Sequence, residues 1–351
     1  MFRRMAMTVL SGGLVFGAVG QTIEAPFDTV YSFTDLGSVP GLPPRQGGLC
    51  ALAGDHDTLL IGGYANTASG TLYAVRVMRD EDGHINGFAG EATPFCVAAY
   101  NDGGVTYGPG GVLFLSRWPA NQLGQVRPGS SVTDKVIDLW PWGVESSNAS
   151  INFVPPGFPG AGRAKIASWA GGQWGELTLV PDGTGLYDVA GFNEVAGARL
   201  GGGPEGFTYV PPGSPLFSSP TMILSEYSNG MVTVFDLDDN GDPINATRRV
   251  FMSGLGGAEG AYIDRPTGDF LFSTFGGGER IVVVKGFSVP PPECAACAAD
   301  YNQDGGIDGS DVDAFYGEWE NGTGCADVNQ DGGIDGADVD AFFGAWEAGG
   351  C

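Results

Sequence analysis

Between residues 46 and 287 the chain runs five times through one pattern of about 50 residues: a short strand, a turn, an apolar strand, and a loop opened by an aromatic residue. The clearest pair of copies is GPEGFTYVPPG (203–213) and GAEGAYIDRPTG (257–268). NASINFVPPG (148–157) matches through Val-Pro-Pro-Gly, NDGGVTYGPGG (101–111) through Thr-Tyr, and GGLCALAGD (47–55) through length and position. The second strands read DTLLIGGY, VLFLSRW, AKIASW, TMILSEY and DFLFSTF, ending on Tyr64, Trp118, Trp169, Tyr227 and Phe275. A unit this small cannot bury its own apolar faces, so the copies must pack on one another.

Composition decides what the units are made of. The 351 residues include 61 Gly and 23 Pro but only 16 Lys plus Arg, a balance that suits many tight turns and few surface helices. Repeats of four short strands then predict a mainly β fold closed radially, a five-bladed β-propeller, with six blades as the alternative count. Four copies supply a fourth strand before the next begins, whereas the last stops after RIVVVKGF (280–287), one strand short. TVYSFTDL (29–36) is an apolar strand without a blade of its own, and the pattern predicts that it completes the last one. The propeller is expected over 28–287.

In this register each first strand begins at the mouth of the central channel. That places Glu205 and Glu259 near the axis, with Gln46, Asp102 and Asn148 from the other copies, and Tyr64, Trp118, Trp169, Tyr227 and Phe275 around them as an aromatic rim. Converging carboxylates and amides suit Ca²⁺, which accepts several oxygens in flexible geometry. The same mouth could hold a sugar or another small ligand, and Asp102, Glu205 and Glu259 are the candidate catalytic carboxylates of a glycan-cleaving enzyme. The bland alternative is a wet channel whose aromatics pack between blades. The PEG and AEG triplets resemble those of regucalcin- and gluconolactonase-type propellers, and the body is also similar to NHL-type propellers. That resemblance implies a metal-binding Glu near the axis, with lactonase activity as an alternative reading.

Residues 300–311, DYNQDGGIDGSD, recur at 327–338 as DVNQDGGIDGAD. In a calcium loop of the EF-hand kind, oxygens come from positions 1, 3, 5, 7, 9 and 12, with Gly at 6 for the sharp turn. Asp300, Asn302, Asp304, the Gly306 carbonyl, Asp308 and Asp311 fill the first set, and Asp327, Asn329, Asp331, Gly333, Asp335 and Asp338 the second. Val312, Phe315 and Trp319, then Val339, Phe342 and Trp346, follow at helical spacing and predict two helices packed on each other. Behind the linker 288–299, this small α-helical module (300–351), with Asp rather than Glu at position 12, resembles a dockerin, and its final GGC resembles the bacterial GC-type dockerin-anchored secreted proteins. The resemblance implies two Ca²⁺ sites and attachment to a cohesin-like or other cell-surface or extracellular protein. Residues after the ninth loop position, which set partner choice in dockerins, are Gly309-Ser310 and Gly336-Ala337 here and depart from the cellulosomal kind.

The first twenty residues, MFRRMAMTVLSGGLVFGAVG, carry Arg3 and Arg4, a short apolar run and small residues before Gln21, the pattern of a secretory signal peptide. A secreted or surface-attached bacterial protein with no membrane span after cleavage is expected. Export makes the six cysteines disulfide candidates, among them a Cys50–Cys96 bridge.

The formal charge of −25, with 13 of 41 acidic residues in 294–351, excludes nucleic acid as a partner, since phosphate binding needs clustered Lys and Arg. Only His56 and His84 exist, both in polar turns, and no G-x-S-x-G, H-E-x-x-H or P-loop occurs. The reading is a secreted Ca²⁺-binding protein whose tail attaches a recognition or scaffold propeller to its partner; the alternative is a calcium-dependent lactonase or glycan-cleaving enzyme acting at the channel mouth.

Overall fold

The computed structural model describes residues 20–145, 147–276, 278–290, 297–302, 306–321, 324–329 and 334–349. Of the expected signal peptide, residues 1–20, all but Gly20 lie outside these, as do the loop residues Asp304, Asp331 and Gly333 and the cysteines Cys294 and Cys351.

The body is a five-bladed β-propeller, each blade an antiparallel sheet ordered outward from the axis. Blade one is Leu49–Leu52, Asp55–Gly63, Thr71–Arg79 and Ile85–Val97; blade two is Asn101–Tyr107, Leu113–Arg117, Gln122–Val126 and Lys135–Asp138. Blade three is Asn148–Phe153, Ala164–Ser168, Trp174–Pro181 and Tyr187–Glu194. Blade four is Pro204–Val210, Thr221–Glu226, Met231–Asp236 and Arg249–Ser253. Blade five takes Ala258–Ile263, Phe270–Thr274 and Ile281–Lys285 from the end of the repeat and Ser32–Gly37 from its beginning. The expected closure is therefore present: Ser32 pairs with Lys285 and Thr34 with Val283, so the first and last segments share one sheet and the Ile281–Lys285 edge is covered. Unforeseen in the sequence, Thr22–Ile23 adds a short fifth strand to blade four by pairing with Met252 and Ser253.

The apolar runs of the second and third strands follow from burial on both faces. Leu59 and Ile61 face blade five, where they meet Leu271, Ile281 and Val283, while Leu60 between them faces blade two and meets Val105 and Leu115. Phe270 and Phe272 turn the other way, onto Val232, Val234 and Phe251 of blade four. Each of the five apolar clusters of the body is thus a seam between neighbouring blades. A strand sandwiched this way has no polar side, which is why IVVV and TMILS do not alternate. At the axis the first strands approach backbone to backbone: a Cβ on Gly48 would lie 2.4 Å from the Gly103 carbonyl oxygen, and one on Gly206 2.5 Å from the Ala261 nitrogen.

Two details depart from expectation. Cys50 and Cys96 are free, buried thiols. They sit on the first and last strands of one sheet, and three steps of about 4.8 Å exceed a disulfide's reach. His84 is not a plain surface turn residue, because its Nδ1 lies 2.9 Å from Asp269 across the seam between blades one and five. The bidentate contact of Arg79 with Asp264 (2.8 and 3.0 Å) and the Lys285–Asp80 pair (2.9 Å) reinforce that seam.

In the tail, α1 (Gly309–Asn321) and α2 (Gly336–Ala348) each follow one acidic loop. Their stripes meet as the spacing predicts: Phe315 and Phe342 stack at 4.3 Å and 4°, flanked by Val312, Trp319, Val339 and Trp346. Asp311 and Asp338 are fully buried and do matching work. Asp311 accepts the N–H groups of Asn302 (3.1 Å) and Asp308 (2.8 Å), and Asp338 those of Asn329 (3.1 Å) and Asp335 (2.8 Å). Each helix also grips the opposite loop, Trp319 Nε1 donating to the Asp335 carbonyl at 3.0 Å and Trp346 Nε1 to that of Asp308 at 3.1 Å. No helix among the described residues is long and apolar enough to cross a membrane.

Candidate metal centre at the propeller axis

A repeated register places the axial side chains. Pro204 pairs with Glu226, Ala258 with Thr274 and Asn101 with Arg117, the residues just before Glu205 and Tyr227, Glu259 and Phe275, and Asp102 and Trp118. Immediately afterwards the pairing slips in a bulge, which releases the next side chain from strict alternation and re-aims it. The main-chain N–H of each aromatic then fixes the geometry by donating two residues upstream of the axial position: Tyr64 to Pro44 (3.0 Å), Trp118 to Tyr100 (3.0 Å), Tyr227 to Gly203 (2.9 Å) and Phe275 to Gly257 (2.8 Å). In blade three Trp169 donates to Ser147 (2.9 Å), which makes Ala149 the axial residue. Asn148, expected at that position, is one residue out of register, held in the ladder opposite Ser168 with its N–H on Asn121 Oδ1 at 2.8 Å.

Three of the expected residues converge. Carboxylate oxygens of Asp102, Glu205 and Glu259, from blades two, four and five, all lie within 4.8 Å of one another, and their residues are 1, 4 and 1% exposed. Neither oxygen of Asp102 has a hydrogen-bond partner of ordinary geometry, nor has Glu205 Oε2 or Glu259 Oε1. Buried acceptors without partners are costly, and more stand at the starts of the first strands and in the adjoining loops: Gln46 Oε1, Asn66 Oδ1, Asn101 Oδ1, Ser147 Oγ, Asn148 Oδ1 and Ser150 Oγ. Asn66, Asn101, Ser147 and Ser150 were not singled out by sequence reasoning. For Asn101 the signal was its place directly before Asp102; the other three carried none.

Electrostatics follow from this crowding. Burial pushes Asp102 up to about 7, and burial joined by its carboxylate neighbours pushes Glu205 and Glu259 well above the usual range. Tyr227 is raised too, first by burial and then by Glu259 and Glu205. A divalent cation would supply what the group lacks, since it favours ionised carboxylates and takes six to eight oxygens. The donor set is oxygen throughout, with no His or Cys, which fits a hard cation better than zinc or copper.

Around the mouth, Trp118, Trp169, Tyr227 and Phe275 form a continuous arc, each ring touching the next at 6.3, 6.4 and 6.2 Å. All four are half-buried. Tyr64, expected as the fifth member, stands apart: it is 41% exposed, has left-handed backbone (φ 49°) and makes no ring contact among the described residues.

No protein-family model matches the sequence, and no curated protein matches it. Among solved structures, a candidate 6-phosphogluconolactonase from Bacteroides uniformis is similar at 15% identity and TM-score 0.36, over 67% of this chain and 66% of its own. An auxiliary nutrient binding protein from Bacteroides thetaiotaomicron is similar at 12% identity and TM-score 0.41, over 73 and 77%. A virginiamycin B lyase from Staphylococcus aureus is similar at 10% identity and TM-score 0.37, over 73 and 99%. Likeness at this level carries no argument about ligand or reaction.

Proposed function

We propose that this is a secreted calcium-binding protein in which a propeller, serving as a recognition or scaffold domain, is attached to a cell-surface or extracellular partner by a dockerin-like tail of the GC type. The observation that carries the calcium reading is the convergence of Asp102, Glu205 and Glu259 within 4.8 Å, with buried oxygens that lack hydrogen-bond partners of ordinary geometry. For the tail, support comes from the duplicated loop pattern, the buried Asp311 and Asp338, and the reciprocal grip of Trp319 and Trp346 on the opposite loops. Cys297 and Cys325 each take part in a disulfide, a state that suits an oxidising compartment. The enzyme reading is less well supported, because a substrate would have to reach carboxylates at most 4% exposed.

Calcium titration of the metal-stripped full chain by calorimetry tests this. Three sites are expected, one axial and two in the tail. Glu205→Gln with Glu259→Gln should leave two, and Asp311→Ala should remove one tail site while the axial one stays. An unchanged stoichiometry in the double variant would remove the axial site from the account.

A further inference from the structure

Every residue of the blade three strand Ala164–Ser168 is buried, yet its sequence, AKIAS, carries a lysine. Ala164 and Ile166 pack toward blade two, while Ala167 joins Trp174, Phe207, Phe235 and Leu237 in the seam with blade four. Alternation along the strand sends Lys165 to the same side as Ala167, where its side chain is 0% exposed. A charged group in such a place requires partners. Lys165 Nζ lies 2.7 Å from Asp242 Oδ1, in the turn after the third strand of blade four, and 3.2 Å from Oε2 of Glu176, its neighbour across the blade three ladder. Asp242 is held for this contact: its N–H donates to Asp238 Oδ1 at 3.0 Å, and its Oδ1 accepts Trp174 Nε1–H at 2.8 Å. The turn that carries it is wedged against blade three, so that a Cβ on Gly241 would lie 2.4 Å from the Pro159 carbonyl oxygen. A buried ion pair is costly, because two charges leave water together. A nitrogen fixed against a carboxyl group, with a second carboxylate in reach to carry a proton, is also the arrangement for amide formation, in which both charges disappear.

We propose that Lys165 and Asp242 condense into an isopeptide bond that ties blade three covalently to blade four, with Glu176 as the proton carrier. One Nζ proton passes directly to the Asp242 carboxylate and a second by way of Glu176. The nitrogen lone pair forms the bond to Cγ, the Cγ–Oδ2 bond breaks, and Oδ2 leaves as water with those two protons. Oδ1 stays as the amide carbonyl, where the Trp174 indole N–H already stabilises charge on it. Nothing is oxidised or reduced, and no cofactor is consumed. The side chain of Glu176 is 29% exposed against 0 and 8% for those of Lys165 and Asp242, so the proton carrier is the member of the trio that meets solvent, on the side by which water leaves. The product is a cross-link between positions 77 apart, which restricts the unfolded chain as a disulfide of that span does. The bond forms whether or not calcium is bound.

Mass spectrometry of the reduced full chain, with its ends read from the same digest, tests this. The intact protein is expected to be lighter than its sequence by one water. A tryptic digest should show no cleavage after Lys165 and should contain a branched peptide joining Lys165 to Asp242. Glu176→Gln leaves the amine and the Asp242 carboxyl in place and removes the proton carrier, so the folded variant should regain the water, with the branched peptide at least about tenfold less abundant. Lys165→Met and Asp242→Ala should lack the bond altogether; if either fails to fold, the wild-type mass and the Glu176→Gln protein still decide. A wild-type chain at its full sequence mass, a lost water without a branched peptide, or a branched peptide undiminished in folded Glu176→Gln overturns the proposal.

Discussion

Asp102, Glu205 and Glu259 set the pH behaviour of the metal-free protein. Their carboxyls hold protons more tightly in the folded chain than in the unfolded one, so the folded state binds more protons between the two sets of values. The stability they contribute is full below the unfolded value near 4 and is lost as pH rises through about 7 and beyond for Asp102 and the more strongly raised glutamates. Thermal unfolding in EGTA should therefore show a melting temperature that falls from pH 5 to pH 8, and the increment on adding calcium should grow over the same interval. At a hundredfold excess over its dissociation constant a single bound ion adds about 2.7 kcal/mol. Asp102→Asn should raise the melting temperature of the metal-free protein at pH 8 and cut the calcium increment; a calcium response unchanged from wild type would contradict the assigned role. At this scale the sequence was partly legible. Glu205 and Glu259 announced themselves through the repeated Glu-Gly after a first-strand start. The orphaned oxygens of Asn66, Ser147 and Ser150 could not be foreseen, because burial without a partner is a property of the assembled ring. Asn148 was misplaced by one residue because sequence alone does not show where a ladder ends and its bulge begins.

At the scale of the element, each first strand depends on having almost no side chain where it meets its neighbour. Gly206→Ala would drive a Cβ to 2.5 Å from the Ala261 nitrogen, and overpacking of this kind costs about 1–3 kcal/mol. Denaturant unfolding should show that loss, and the shifted first strands should weaken axial calcium binding with it. In the tail, Trp319→Phe keeps an aromatic in the helix interface and deletes the bond to the Asp335 carbonyl. A net loss of about 1 kcal/mol is expected, read as a several-fold weaker calcium affinity at the second loop with the first little changed. The two helices were legible because Val312, Phe315 and Trp319 and their counterparts keep helical spacing. The cross-gripping tryptophans were not, since spacing assigns a residue to a stripe and does not say what its indole nitrogen will find.

The whole molecule is a ring, and its closure was readable from a missing strand. TVYSFTDL had no blade of its own and the last copy ended one strand short, so each demanded the other; Ser32–Gly37 on Ile281–Lys285 is the result. Deleting residues 29–37 should expose the Ile281–Lys285 edge and abolish cooperative unfolding, with aggregation as the visible consequence. Phe272→Ala, which empties part of the seam between blades four and five, should cost about 3–5 kcal/mol without opening the ring. The polar contacts across the seam between blades one and five, Arg79 with Asp264 and His84 with Asp269, were hidden from sequence reasoning because their partners lie 185 residues apart. The central claim is that the ring gathers carboxylates from three blades onto one cation. A crystal grown with calcium, its anomalous difference map computed at long wavelength, tests that most directly. The account predicts a peak on the axis with oxygens of Asp102, Glu205 and Glu259 at about 2.3–2.6 Å; a vacant axis, with the three carboxylates swung apart, would contradict it.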